Sequence, residues 1–205
     1  GWGYIVSRER SRVDPENVAG CHITMLTGGP PGKSDDMEDV TDIEQKLLDR
    51  AAWYQAEDDG YFRIQQTRPQ TLGTGLNDSP AGLLAWITEK FYGWTDNGGD
   101  LLNTVDKDKL LANVSLYWFT GTINSSTRIY YEMFKTLESG FGSTGETPVG
   151  VSVFPYELMM PRRRWVEDSI NLVLWNEHEK GGHFASLETP EVFVEDVREC
   201  FRGLR

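Results

Sequence analysis

The stretch NEHEKGGHFASLETPE, residues 176–191, decides the fold. In front of it stands INLVLW (170–175), a short apolar run without polar alternation, which reads as a strand covered on both faces. Behind it, Thr189 and Pro190 open a helix with an apolar stripe of Phe193, Val197, Cys200, Phe201 and Leu204. Between the two lie Gly181, Gly182 and His183. Strand, glycine turn, polar side chain and helix is the grammar of an α/β protein, and ligand sites in open α/β sheets lie beyond the carboxyl ends of the strands.

Working outward, PVGVSVF (148–154) is a second strand of the same kind, and VAGCHITML (18–26) a third. The opening WGYIVSRERSR (2–12) reads as a helix ended by DPEN, and TGGPPGKSDD (27–36) breaks structure. From residue 41 to 140 the signals are helical. Thr41 and Glu44 form a capping box before Ile43, Leu47, Ala51 and Tyr54. Ser79-Pro80 opens a helix with Leu83, Leu84, Ile87 and Phe91, and Asp106 caps one with Leu110, Val114 and Tyr117. Ser125 or Ser126 caps the next, carrying Tyr130, Met133, Phe134 and Leu137 and ending near Gly140. The expected organisation is an α/β core over 1–35 and 148–205 with a helical insertion over 36–147. Three parallel strands leave an edge and a face to be covered, so the chain reads as the second half of a larger sheet.

Composition narrows the class. A net charge of −12 over 205 residues argues against nucleic acid or an anionic membrane as the main partner. No apolar run reaches the length of a membrane span. Cys21 and Cys200 lie far apart without metal-ligand spacing and read as two buried thiols. The sequons at Asn77, Asn113 and Asn124 sit in or beside predicted helices, which disfavours glycosylation. Neither a metal nor a cofactor is called for.

Two candidates occupy the strand ends: Glu157 in PYELMMP and His183 in NEHEKGGH. A carboxylate that orients a histidine ring and stabilises imidazolium makes a general base. Glu177 and Glu179 are rivals for the partner role, and loop-stabilising duty for His183 and Glu157 is the plain alternative. His22, inside a strand pattern, reads as a hydrogen-bonded core residue, and His178 as a solvated loop residue. PRRRW (161–165) reads as a solvated crossover face. TGGPPGK lacks the spacing and trailing Ser or Thr of a P-loop.

Four ordered blocks then carry a resemblance: GYFRIQQTRPQTLGTGLNDSPAGLLAWITEKFYGW (60–94), NVSLYWFTGTINSSTRIYYE (113–132), PVGVSVFPYEL (148–158) and EHEKGGHFASLETPE (177–191). Together they resemble the microsomal-type epoxide hydrolases, α/β-hydrolases with a helical lid. The resemblance implies that His183 in GGHFA is the water-activating base and Glu157 in FPYE its charge-relay acid. It implies that Tyr61 and Tyr130 are the lid phenols that donate to the epoxide oxygen, with Tyr131 as the alternative register for the latter. It implies a small epoxide as substrate and an aspartate nucleophile in a Gly-Gly-Asp-Trp-Gly elbow. The aspartate gives an alkyl ester that activated water cleaves to the diol, and a backbone N–H after the nucleophile, here that of Trp2, holds the oxyanion. Trp53, Trp86, Trp94 and Trp118 suit an apolar epoxide and ordinary packing equally.

Trp2-Gly3 fits the end of that elbow, with Gly1 at the aspartate's position. The nucleophile is therefore expected on an N-terminal part of the same fold, in a separate or further segment. A haloalkane dehalogenase is the runner-up among enzymes, but it needs indole or amide donors rather than a tyrosine pair. The competing class is a catalytically incompetent α/β-hydrolase that acts as a binding module.

Overall fold

The computed structural model describes residues 1–136 and 145–204. The expected helical positions Leu137 and Gly140 lie outside the described residues. In chain order the elements are α1 (Trp2–Val13), β1 (Cys21–Ile23), α2 (Asp42–Trp53), a wide π-type turn (Tyr54–Asp58), α3 (Gly60–Thr67), α4 (Pro69–Asp78) and α5 (Pro80–Trp94). There follow α6 (Lys107–Thr120), α7 (Ile123–Thr136), β2 (Pro148–Val153), α8 (Arg163–Val166), β3 (Asn171–Glu177), α9 (Ala185–Glu188) and α10 (Pro190–Arg202). They form two compact units, one of residues 1–52, 94–96 and 143–205, the other of 53–93 and 97–142. Ile43 and Leu47 of α2 pack into the core around the sheet.

The sheet runs β1-β2-β3, all parallel, with β2 in the middle. Val149, Val151 and Val153 alternate along one face of β2 and enter a core with Tyr4, Ile23, Leu26, Met160 and Val166. Val151 is fully buried, and a valine hidden to that extent contributes roughly 1.5–3 kcal/mol. The opposite face carries Gly150 and Ser152 beneath α10, and a β-carbon at Gly150 would stand 2.5 Å from Cys200 Sγ. Cover on both faces is why β2 reads as an unbroken apolar run; β3, at the edge of the sheet, lacks the cover expected of it, and Val173 is exposed. The first strand is shorter than the apolar run 18–26 suggests; only Cys21, His22 and Ile23 pair with β2. Cys21 and Cys200 are both buried free thiols.

The helix starts follow local chemistry. Thr41 N–H donates to Glu44 Oε2 at 3.0 Å while Glu44 N–H donates to Thr41 Oγ1 at 3.3 Å, a reciprocal box. Ser79 Oγ accepts from Gly82 N–H and Asp106 Oδ1 from Lys109 N–H. Ser125 and Ser126 do not cap α7. Gly121 ends α6 in the left-handed region (φ 63°) and α7 starts at once at Ile123, which is buried in the helical core. The two serine hydroxyls instead donate back to Thr122 and Ile123 carbonyls. Thr189 holds the cap position of α10, but its hydroxyl donates backwards to Ala185 O.

PRRRW is not a solvated face. Arg162 is buried, donates to the carbonyls of Asp36, Glu38 and Asp39, and pairs with Glu44 at 3.0 Å. Arg164 pairs with Asp35, and only Arg163, paired with Glu167 along its own helix, behaves as a surface residue. In the glycine-rich segment, Asp36 accepts the N–H groups of Gly32 and Lys33, donors that an anion would otherwise take.

Candidate active site

The β2–β3 pairing continues past both strands through one more parallel bridge, Tyr156 beside Gly182, with Tyr156 N–H donating to Gly181 O at 3.1 Å. The next residue on each side is therefore Glu157 and His183. His183 Nδ1 lies 2.7 Å from Glu157 Oε1, which also accepts Leu158 N–H at 2.7 Å. Glu157 is fully buried, and among the described residues no group reaches its Oε2. A buried carboxylate on Nδ1 fixes the tautomer with the proton on that nitrogen and leaves Nε2 as the basic atom. Nε2 faces residue 1: a β-carbon built on Gly1 would lie 3.2 Å from it. Trp2 is the first residue of α1.

The histidine loop is held from behind. His183 N–H donates to Trp94 O at 2.9 Å, and the Trp94 and His183 rings meet edge to face at 5.3 Å. Glu188 accepts Asp96 N–H through Oε2 and Phe184 N–H through Oε1, and Asp96 Oδ2 accepts Gly181 N–H. Burial raises the Glu188 pKa against the lowering effect of those backbone donors. Both glycines are required. Gly181 adopts φ +105°, and a β-carbon on Gly182 would meet Trp94 O at 2.5 Å.

Of the rival carboxylates, Glu177 accepts from Trp175 Nε1 instead, and Glu179 is exposed. His22 bonds Ser152 Oγ at 2.8 Å, in keeping with its reading as a hydrogen-bonded core residue. His178 is not a solvated loop residue. Its ring stacks on buried Phe154 at 4.8 Å, and its Nε2 lies 2.6 Å from Asp196, whose carboxylate also accepts from Ser152 and Asn176.

The helical unit brings its two candidate phenols together by itself. Helix α3 packs against α7, and the rings of Tyr61 and Tyr130 meet edge to face at 6.0 Å. Phe62 joins Tyr130 at 5.5 Å and Phe134 at 5.2 Å. Burial raises the Tyr61 pKa, so this phenol stays protonated and is a donor at neutral pH. Tyr131 takes no part in this cluster among the described contacts and instead accepts a hydrogen bond from Lys135. Sequence reasoning missed Tyr54, whose hydroxyl lies 3.1 Å from that of Tyr61, and the Trp94–Asp96–Glu188 brace.

No protein-family model matches the chain. Its homologues are epoxide hydrolases. The full chain is 44% identical to a Stigmatella aurantiaca protein provisionally named an epoxide hydrolase, of which it covers 46%. It is 32% identical, over 99% of its length, to epoxide hydrolase 1 of Sus scrofa and covers 49% of that relative. Among solved structures, juvenile hormone epoxide hydrolase from the silkworm Bombyx mori superposes with a TM-score of 0.86 at 29% identity, over 100% of this chain and 53% of that one. The chain thus spans about half the length of the curated relatives it matches, and its fold is part of an α/β-hydrolase.

Proposed function

We propose that this chain, whose homologues are epoxide hydrolases, supplies the water-activating and oxygen-binding part of an enzyme that converts an epoxide and water to a vicinal diol. A carboxylate on an N-terminal part of the same fold attacks one oxirane carbon, the C–O bond breaks, and Tyr61 and Tyr130 donate to the departing oxygen. This yields an alkyl ester. His183 Nε2 then takes a proton from water, whose oxygen attacks the ester carbonyl, while Glu157 stabilises the imidazolium and the Trp2 N–H stabilises the oxyanion. Collapse releases the diol and restores the carboxylate. The observation that carries this reading is the 2.7 Å contact of Glu157 with Nδ1, which leaves Nε2 directed at the position of residue 1. The aromatic cluster of Phe62, Phe134 and the two phenols favours a small apolar epoxide.

A second reading, that of a binding module without turnover, is favoured by one residue. Gly1 stands where the histidine faces and has no nucleophilic side chain. Single-turnover trapping decides between them. The natural protein, with whatever sequence flanks this chain, is mixed with styrene oxide, quenched in acid and weighed intact. Transient gain of one epoxide mass supports the hydrolase. Saturable binding with neither adduct nor diol supports the module.

A further inference from the structure

The backbone N–H groups of Gly181, Gly182, His183 and Phe184 all find acceptors on two short segments. Gly181 N–H donates to Asp96 Oδ2 at 3.2 Å and His183 N–H to Trp94 O at 2.9 Å. Phe184 N–H donates to Glu188 Oε1 at 3.1 Å, and the Gly182 N–H bears on the same carboxylate. Glu188 Oε2 in turn accepts Asp96 N–H at 2.8 Å. Main-chain N–H groups only donate, so the direction of each of these bonds is fixed. One carboxylate thus joins the residues on both sides of His183 to the segment that accepts the N–H of His183 itself.

From this convergence, we infer that Glu188 is a positioning residue, holding the loop so that the His183 ring keeps Nδ1 on Glu157 and Nε2 facing residue 1. Its bonds go to the main chain, so it acts on the base through the loop. The loop needs such a hold. Two consecutive glycines precede the base, one of them at φ +105°, and glycine leaves a backbone freer than any other residue. A general base must stay within hydrogen-bond reach of its proton, and a small displacement is costly.

The chemistry of the donors explains why the residue is an acid. Hydrogen bonds to a carboxylate are roughly twice as strong as those between neutral groups, and both carboxylate oxygens accept. Glutamine offers one oxygen and one NH2. Turned either way, it sets that NH2 against Asp96 N–H or against Phe184 N–H, donor facing donor.

This inference rests on the proposed role of His183, so its test pairs a chemical readout with a spectroscopic one, both on the whole natural protein. The first is single-turnover formation and hydrolysis of the ester from styrene oxide. The second is the ring-nitrogen magnetic resonance spectrum of isotope-labelled histidine, which reports the nitrogen that carries the proton. The His183 signals are assigned by their loss in His183→Gln, and in the parent the proton should sit on Nδ1. Glu188→Leu is expected to mix the two tautomers and slow ester hydrolysis about 10²-fold, with ester formation within about twofold of the parent. Glu188→Gln should recover part of both, and it carries the same comparisons if Glu188→Leu does not fold. The His22 signals, from a ring bonded to Ser152, should not move.

Ester formation slowed as much as hydrolysis, or His22 signals that move with those of His183, would show a general stabilising role and overturn the assignment. So would a His183 spectrum unchanged by the substitution, or a parent with the proton on Nε2. A parent that forms no ester would overturn the epoxide reading alone if the His183 tautomers still mix in the variant, and both readings if they do not.

Discussion

Gly1 faces His183: a β-carbon at residue 1 would lie 3.2 Å from Nε2, while Nδ1 of the same ring is held 2.7 Å from buried Glu157. On the proposed reading a base so placed acts on a carboxyl ester formed at or beside residue 1, and the first prediction concerns that position. Gly1→Asp in the natural protein should add a second site of ester formation from styrene oxide, with the new adduct mapping to residue 1. No adduct at residue 1 in the variant would show that residue 1 does not mark a place within reach of the base.

The glycine behind the base offers a separate test. Gly182→Ala puts a β-carbon 2.5 Å from the Trp94 carbonyl that anchors His183 N–H. The loop must shift, and the ring moves with it. Ester hydrolysis should fall by about 10²-fold, the scale of misplacing a catalytic group, while ester formation changes little. Equal loss of both steps would point to general unfolding rather than to the base.

Arg162 predicts a stability effect with no catalytic signature. It is buried, paired with Glu44, and bonded to three carbonyls. Arg162→Met removes one partner of a buried ion pair and should cost about 3–5 kcal/mol in urea unfolding. A loss below about 1 kcal/mol would return PRRRW to the solvated face that the sequence suggests.

Acid should weaken the fold in two stages. Burial holds the His22 pKa below its ordinary 6.5. At Asp196 burial acts upward, but hydrogen bonds from Ser152, Asn176 and His178 outweigh it and hold the carboxyl below its ordinary 3.8. A group whose folded pKa is depressed contributes stability that is present above its unfolded pKa and lost as pH falls. The urea midpoint should therefore start to drop below pH 6.5 through His22 and drop again below 3.8 through Asp196. His22→Asn should remove the upper limb. An unchanged slope between pH 6.5 and 5 in that variant would exclude His22 as its source.

How far the sequence could be read depended on how local the determinants were. The three parallel strands, the last helix and the meeting of His183 with Glu157 follow from apolar runs and from what stands at their ends. The capping box at Thr41 needs only four residues. His178 could not be placed that way, because its partner Asp196 lies 18 residues further along the chain and its stacking ring belongs to a neighbouring strand end. Arg162 reads as solvated because its acceptors are main-chain carbonyls more than 120 residues away, invisible to any charge pattern. Tyr54 was legible as an apolar helical position but not as a hydrogen-bond partner of Tyr61, since it is the wide turn after it that brings the two hydroxyls together.

The most direct test of the central claim is the fate of the ester when the base is removed. His183→Gln is paired with the parent, both with an aspartate at position 1 in the otherwise natural protein, and each is mixed with one equivalent of styrene oxide. The account predicts that the parent forms the adduct transiently and releases diol. The variant should form it at a similar rate and hold it, with hydrolysis slowed roughly 10²–10⁴-fold. A variant that releases diol as fast as its parent would remove His183, and with it Glu157, from the chemistry.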